Sequence, residues 1–384
     1  MLLSLSHKIW KRMMVRQQPA KKYETIKMII GIADSLTLFF VLLVFVFSGY
    51  SIVLRNYLFP FSSNPYLRLL LFSAILGGGL GLISFPFQYF GGFRLEKRYN
   101  LTEQSFVSWL WEKVKAALVG LVLAVPLLLI FYYFLLNYPQ TWWFWLAGVL
   151  FFFSVFLGRI APQVIFPLFY KFEPLDDETL LQRMRTLANK VGFKLEGIYR
   201  FNLSKTTKKA NAAFTGLGKS KRIILGDTLL DNLTVDEIEA IFAHEAGHYV
   251  HKHILIGILT ATAGSFLSLY LAAETYRYLV SSLQLNGLAD LAALPLLSLI
   301  LSVIAFLLNP LNNILSRYHE RQADLYALRN CSDPQAFISG MQKLSALNLI
   351  DRKPHPLVEF LFHSHPSIDK RIAFAEAFIR ENRG

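Results

Sequence analysis

"IFAHEAGHYVHKHILIGILTATAGSFLSLYLAA", residues 241–273, joins two patterns that rarely meet. Its first thirteen residues hold four histidines and a glutamate, the densest cluster of metal-type ligands in the chain. The rest is an almost unbroken apolar run. A span of a bilayer needs about 20 mostly apolar residues, so the ligand cluster stands at the edge of a candidate membrane helix.

The whole composition agrees with that placement. Of 384 residues, 54% are hydrophobic and only 17% charged, whereas a soluble domain is nearer a quarter charged. The formal net charge of +13 could serve nucleic acid, but so apolar a chain is no ordinary nucleic-acid binder. Basic and apolar together read as a membrane protein with Lys and Arg on its cytoplasmic side. Six windows are long and apolar enough to cross: roughly 28–54, 66–90, 114–136, 142–168, 253–275 and 290–314. The single Cys331 excludes an intrachain disulfide and a cysteine-built metal site. No repeat or low-complexity tract appears.

Orientation follows from the flanks. Before the first window stand Lys8, Lys11, Arg12, Arg16, Lys21, Lys22 and Lys27 against Glu24, and after the second Arg94, Lys97 and Arg98. "LNYPQT" after the third has no charge, and the loop 276–289 has only Arg277. Both termini and the segment 169–252 are therefore expected in the cytoplasm. The basic start reads as a topology anchor rather than a signal or transit peptide. The expected organisation is a four-span membrane region over 1–168, a first polar piece over 169–252, a hairpin of two spans over 253–314 and a second polar piece over 315–384.

His244 and His248 stand at i and i+4, on one face of a helix and one turn apart, which suits two ligands of one zinc ion. Thr234 and Glu237 have capping-box spacing for the start of that helix. Glu245 is placed beside the ligands to act on a water rather than on the metal, the H-E-x-x-H arrangement. His251 is seven residues from His244, about 10 Å along the axis, too far for ligands near 2 Å from one ion. His251 and His253 are read as outer partners or boundary residues. A catalytic zinc needs a third protein ligand. In "SRYHERQADLYAL", Glu320 and Asp324 share a helix face. Glu320 is expected to complete the site, and Asp324 to accept the second N–H of a liganding histidine. Arg317 is expected to pair with one of these acids. His319 is a rival ligand, about 100° around the helix from Glu320. On this reading, the hairpin of spans five and six brings the two ligand helices side by side.

The chain resembles the type I CAAX prenyl protease family, integral-membrane zinc metalloendopeptidases. "FRLEKRYNLTEQSF", "NAAFTGLGKSKRIILGDTLL", "AHEAGHYVHKH", "SRYHERQAD" and "FHSHPSIDKRI" follow its pattern in order, over about residues 25–380. The resemblance implies a multi-pass α-helical protein. About six spans would surround a chamber, and a mainly α zinc-protease unit with a small β-sheet would close its cytoplasmic end. It implies that His244, His248 and Glu320 hold one Zn2+ and that Glu245 is the general base. Asn211, Ala212, Ala213 and Phe214 would form an edge strand pairing with substrate backbone. His365 would help stabilise the oxyanion, and Arg371 would fix the C-terminal segment. The glycines Gly216 and Gly218 are read as a hairpin turn. Four features depart from the family: the first of seven eukaryotic spans has no counterpart here, the polar loops are short, Tyr249 stands in place of a tryptophan, and Ser367 in place of a second proline.

The expected partners are a peptide or protein substrate, prenylated or membrane-embedded, and the lipid bilayer, with no nucleic acid. The sequence carries no signal for an oligomeric state. A short six-span chain fits the bacterial cytoplasmic membrane, or the endoplasmic reticulum if eukaryotic. Quality-control proteolysis of the heat-shock type is the competing peptidase reading. A transporter with a structural zinc is the competing non-enzyme, with Asp34, Arg159, Gln163 and Asn309 along a wet path.

Both polar pieces must share one side of the membrane for His248 and Glu320 to meet. In a Cys331→Ser background, Ser220→Cys and Glu376→Cys should both be shielded from an impermeant thiol reagent in intact cells. Both should label once the membrane is opened, and Leu283→Cys should label in intact cells. Opposite behaviour of the first two would exclude a shared metal site.

Overall fold

The structure is a computed structural model and describes residues 2–192, 197–215 and 222–382; the turn expected at Gly216 and Gly218 lies outside them. Six helical stretches are long and apolar enough to span a membrane: Gln18–Phe47, Pro65–Arg98, Phe106–Asn137, Trp142–Leu168, His253–Ser282 and Leu294–Asn330. In the most apolar windows of the first, fourth and fifth, only 6% of residues are buried inside the protein. Their apolar surface is therefore left for lipid or for a hollow between helices, as expected of spans.

The membrane part begins with α1 (Leu2–Phe47). The first expected window overshoots, because Gly49 adopts φ 78° and turns the chain into a separate short helix, α2 (Tyr50–Leu58). Asn64 then caps α3 (Pro65–Tyr89), which passes through a π-turn at Phe90–Arg94 into α4 (Leu95–Arg98). After α5 (Phe106–Asn137) and α6 (Trp142–Ile160) the chain leaves the apolar region.

The first polar piece holds β1 (Phe172–Pro174), α7 (Glu178–Lys190), β2 (Gly197–Phe201), β3 (Ala212–Thr215), β4 (Arg222–Gly226) and a single turn, α8 (Asp227–Leu230). The strands form one mixed sheet in the order β1-β2-β4-β3. β2 and β4 are parallel, and β3 pairs antiparallel with β4, Ala213 opposite Ile224. β3 is thus an edge strand. Then follows α9 (Val235–Val250), whose capping box between Thr234 and Glu237 is fully formed.

Lys252, at φ 57°, ends that helix and starts α10 (His253–Ser282) in a new direction. The helix of the histidines therefore ends before the fifth candidate span begins. The helix of Glu320 does not begin after the sixth span: α11 (Leu294–Asn330) is continuous for 37 residues, span and ligand segment in one rod. The chain closes with α12 (Pro334–Leu347), α13 (Pro356–Phe362) and α14 (Ile368–Glu381). One apolar core takes residues from both polar pieces, among them Met184, Ile223, Phe242, Leu328, Phe337 and Ile372.

Within that core α9 crosses α11 at very short range. Gly247 permits it: a Cβ there would sit 2.9 Å from Ala323 Cα and 3.0 Å from Tyr326 Cβ. Gly247→Val should therefore force the two helices apart. The overpacking should cost about 1–3 kcal/mol, and the metal site astride the contact should lose occupancy. Thermal unfolding in detergent and metal analysis of the purified variant check both.

Candidate metal centre and cleft

The close crossing aims three side chains at one point. His244 Nε2 and His248 Nε2 are 3.2 Å apart. Glu320 places Oε2 3.3 Å from His244 Nε2 and Oε1 3.3 Å from His248 Nε2. Four ligand atoms held tetrahedrally about 2.0–2.1 Å from an ion are about 3.3 Å apart, so the spacing fits a small divalent cation. Two further observations agree. Glu320 Oε2 is buried and makes no hydrogen bond of acceptable geometry, although imidazole nitrogens lie within reach. With the histidines neutral, Glu320, Asp324 and Glu245 exceed the positive charge of Arg371 by two, which a divalent cation cancels. Among the described residues His244, His248 and Glu320 form the one His/Cys/Asp/Glu group with metal-binding spacing.

Each ligand is oriented from behind. His244 Nδ1 lies 2.8 Å from Asp324 Oδ1, which fixes the tautomer that leaves Nε2 free. Asp324 in turn accepts two hydrogen bonds from the buried Arg371, Nε to Oδ2 at 2.9 Å and Nη2 to Oδ1 at 2.5 Å. Burial pulls the His244 pKa down, but the carboxylates of Asp324 and Glu320 outweigh it and raise it to about 9. Metal must therefore displace a proton there. His248 is oriented by another chain of contacts. Its Nδ1 is 3.0 Å from His253 Nδ1, and His253 Nε2 is 2.9 Å from Gln322 Oε1. For His248 to offer Nε2 as a lone pair, Nδ1 donates to His253 and His253 donates to Gln322. His251 and His319 both stack on the His253 ring, with centroids 5.5 and 4.1 Å away. Neither stands in the ligand triangle.

Arg317 departs from the expectation. It pairs with neither acid. Its Nη1 donates to the carbonyls of Glu359 and His363, at 3.0 and 2.6 Å. Asp324 is already taken by Arg371, and the His363 carbonyl, just past the end of α13, is one that the helix cannot satisfy itself, while Glu359 O also accepts from His363 N at 3.2 Å. Asn309 and Asn313, about two turns and one turn earlier on α11, donate to Leu361 O at 2.9 and 2.8 Å. Asn309 thus holds α13. These contacts fix the loop that bears His365, whose Nδ1 lies 2.8 Å from Glu320 Oε2.

The ligands open into a cleft of about 480 Å3, which Asn211, Ala212, Glu245 and His365 also line. The segment before β3 is braced by residues the sequence did not single out. Asn348 accepts from Ala210 N at 2.8 Å and donates to Ala210 O at 3.1 Å. Lys208 N donates to Leu101 O at 2.7 Å, and Thr102 Oγ1 to Thr206 O at 2.8 Å. Asn211 O itself accepts from Gly226 N at 2.9 Å, extending the pairing of the edge strand. The side chain of Phe214 is not among those described.

Known proteins share this arrangement. Peptidase family M48 matches residues 174–379, more than half of the chain. The chain belongs to peptidase family M48. Residues 16–171 match the CAAX prenyl protease N-terminal family, described as five membrane helices; among the described residues this stretch holds four candidate spans and the short α2. The Bacillus subtilis protein described as uncharacterized metalloprotease YhfN is 34% identical over 93% of this chain and 84% of its own length. CAAX prenyl protease 1 of Saccharomyces cerevisiae is 30% identical over 79% of this chain and 71% of its own. The crystal structure of S. mikatae Ste24p superposes with a TM-score of 0.81 at 26% identity, covering 94% of this chain and 87% of that one. With its spans and its His-His-Glu cluster, this member of the family is a membrane metalloprotease.

The network behind the ligands is open to test. Glu320→Ala should strip the metal. Arg371→Met, which leaves Asp324 buried without its partner, should lower metal affinity roughly 10–100-fold. Arg317→Ala, which touches only the α13 carbonyls, should keep the metal. Metal analysis after gel filtration separates the three.

Proposed function

We propose that the chain is a zinc endopeptidase whose catalytic cleft faces the cytoplasm and cleaves peptides near their C-termini, prenylated CAAX sequences included. The observation that carries this is the triangle of His244, His248 and Glu320 with Glu245 next to it, in a cleft flanked by an edge strand. These three ligands would hold Zn2+. When bound, the ion supplies a Lewis acid that polarises the scissile carbonyl and makes water acidic enough to ionise near pH 7.

The protein's own groups do the rest. β3 offers its unpaired edge to the backbone of an extended substrate, which registers the peptide against the cleft. Glu245 takes the proton of the attacking water and returns it to the leaving amine. His365 donates a ring N–H to the carbonyl oxygen as negative charge develops there. Its position beside Glu320 suits that role, since a substrate carbonyl drawn to the ligand triangle would meet it. Leu229, Ile241, Met341 and Ile368 make the cleft wall apolar, which favours aliphatic side chains next to the scissile bond. The name of the Saccharomyces cerevisiae relative, CAAX prenyl protease 1, points the same way. The basic flanks support a cytoplasmic cleft, and the sparsely buried spans leave room for a chamber that would take a lipid chain.

Glu245→Gln should keep zinc and lose turnover by at least about 10²–10⁴-fold, the usual worth of a general base. Cleavage of a farnesylated and a plain CAAX peptide by the purified protein, with this variant as control, tests the chemistry and the substrate together. Equal turnover of both peptides would remove prenylation from the specificity. Full turnover by Glu245→Gln would remove the mechanism.

A further inference from the structure

Between α1 and the end of the second span lies a groove that the peptidase reading does not use. The helix widens there into the π-turn at Phe90–Arg94, a distortion common where helices serve a binding role. Gly91 lets the turn close on α1: a Cβ at that position would sit 3.1 Å from Ile30 Cγ2. The groove beside this contact encloses about 840 Å3, within the roughly 300–1,000 Å3 of ordinary ligand sites.

Its lining is divided. Ile26, Ile30 and Phe90 supply an apolar wall, and Arg94, Lys97 and Arg98 a cationic one. Among the described residues Arg94 and Arg98 make no salt bridge and no side-chain hydrogen bond, and both are exposed. Lys97 Nζ reaches only the carbonyl of Glu103, at 3.3 Å. The nearest acid along the chain, Glu96, is taken. It holds Lys27 Nζ at 2.8 Å and Lys209 Nζ at 3.1 Å, and Tyr23 donates to the same oxygen at 2.5 Å. Three positive charges that form no salt bridge among the described residues therefore border an apolar channel, at the end of a candidate membrane span. A soluble anion would answer the charges and leave the wall bare. A molecule with an anionic head and a hydrocarbon chain answers both.

We propose that this groove binds one anionic glycerophospholipid, with its headgroup on Arg94, Lys97 and Arg98 and an acyl chain along Ile26, Ile30 and Phe90. The attraction of basic residues near a membrane surface to anionic lipid supplies the affinity, and the apolar wall distinguishes the site from a phosphate pocket.

The test uses the full-length protein in neutral detergent. It is titrated with phosphatidylglycerol, phosphatidylcholine, glycerol phosphate and inorganic phosphate. Native mass spectrometry counts retained molecules, and thermal unfolding reads stabilisation. One phosphatidylglycerol per chain should be retained, roughly tenfold or more tighter than phosphatidylcholine, while both soluble phosphates leave the unfolding temperature unchanged. Arg94→Gln with Arg98→Gln should weaken phosphatidylglycerol roughly tenfold or more, and Arg94→Lys with Arg98→Lys should preserve it. Metal content shows that the glutamine pair is folded; if it is not, the lysine pair and the lipid comparison on the wild type still decide. Equal retention of the two lipids, equal stabilisation by a soluble phosphate, or unchanged binding in the folded glutamine pair overturns the proposal.

Discussion

Three ligand atoms must come within about 3.3 Å of one another, yet they are carried on helices that two membrane spans separate in the chain. That constraint is met by one backbone contact. At Gly247 the histidine helix has no side chain, and Ala323 on the opposite helix has almost none, so the axes approach until the next substituent would collide. His244 and His248 flank this point on one side, and Glu320 and Asp324 flank Ala323 on the other. The metal triangle is therefore a by-product of how closely two helices pack, and interior packing is stiff enough to hold it.

The electrostatics follow from the same closeness. Burying Glu320 and Asp324 beside each other would be expensive without compensation. Arg371 supplies part of it through a two-pronged contact with Asp324. A guanidinium is suited to this, being planar and always charged. Because Arg371 comes from the last helix, the C-terminal segment cannot detach without exposing the acids behind the ligands. Folding of the second polar piece and readiness of the metal site are thus one event.

Much of this was legible beforehand, for identifiable reasons. Periodicity and length reveal spans, and i, i+4 spacing reveals which side chains share a face, so His244, His248, Glu320 and the back contact from Asp324 could be read from local pattern alone. Pattern is blind to partners brought together from afar. Arg317 looked like the natural mate of the acids because it is near in sequence, whereas the real mate, Arg371, is 47 residues from Asp324. His253 was readable as an outer partner of the site, but its link onward to Gln322 was missed for a related reason. It depends on the turn at Lys252, which swings His253 back over the metal side, and a lysine in the left-handed region gives no sequence signal as a glycine would. The end of the first span was overrun because the apolar run continues past Gly49 although the helix does not.

The unbroken helix that carries Glu320 has a mechanical corollary. At 1.5 Å per residue it is about 56 Å long, and it begins as the sixth candidate span. A rod that long works as a lever: a tilt of about 5° around its far end would carry Glu320 sideways by about 3 Å, enough to take it out of reach of an ion. The histidines ride on a different helix, set off from the neighbouring span by the turn at Lys252 and tied to it by the His248–His253 contact. Membrane thickness, which biases the tilt of a spanning helix, therefore reaches the ligand triangle most directly through Glu320, against the resistance of the Gly247–Ala323 contact. The row of Asn309, Asn313 and Arg317 clamped to α13 is placed where a lever needs a stay, between the membrane and the ligand.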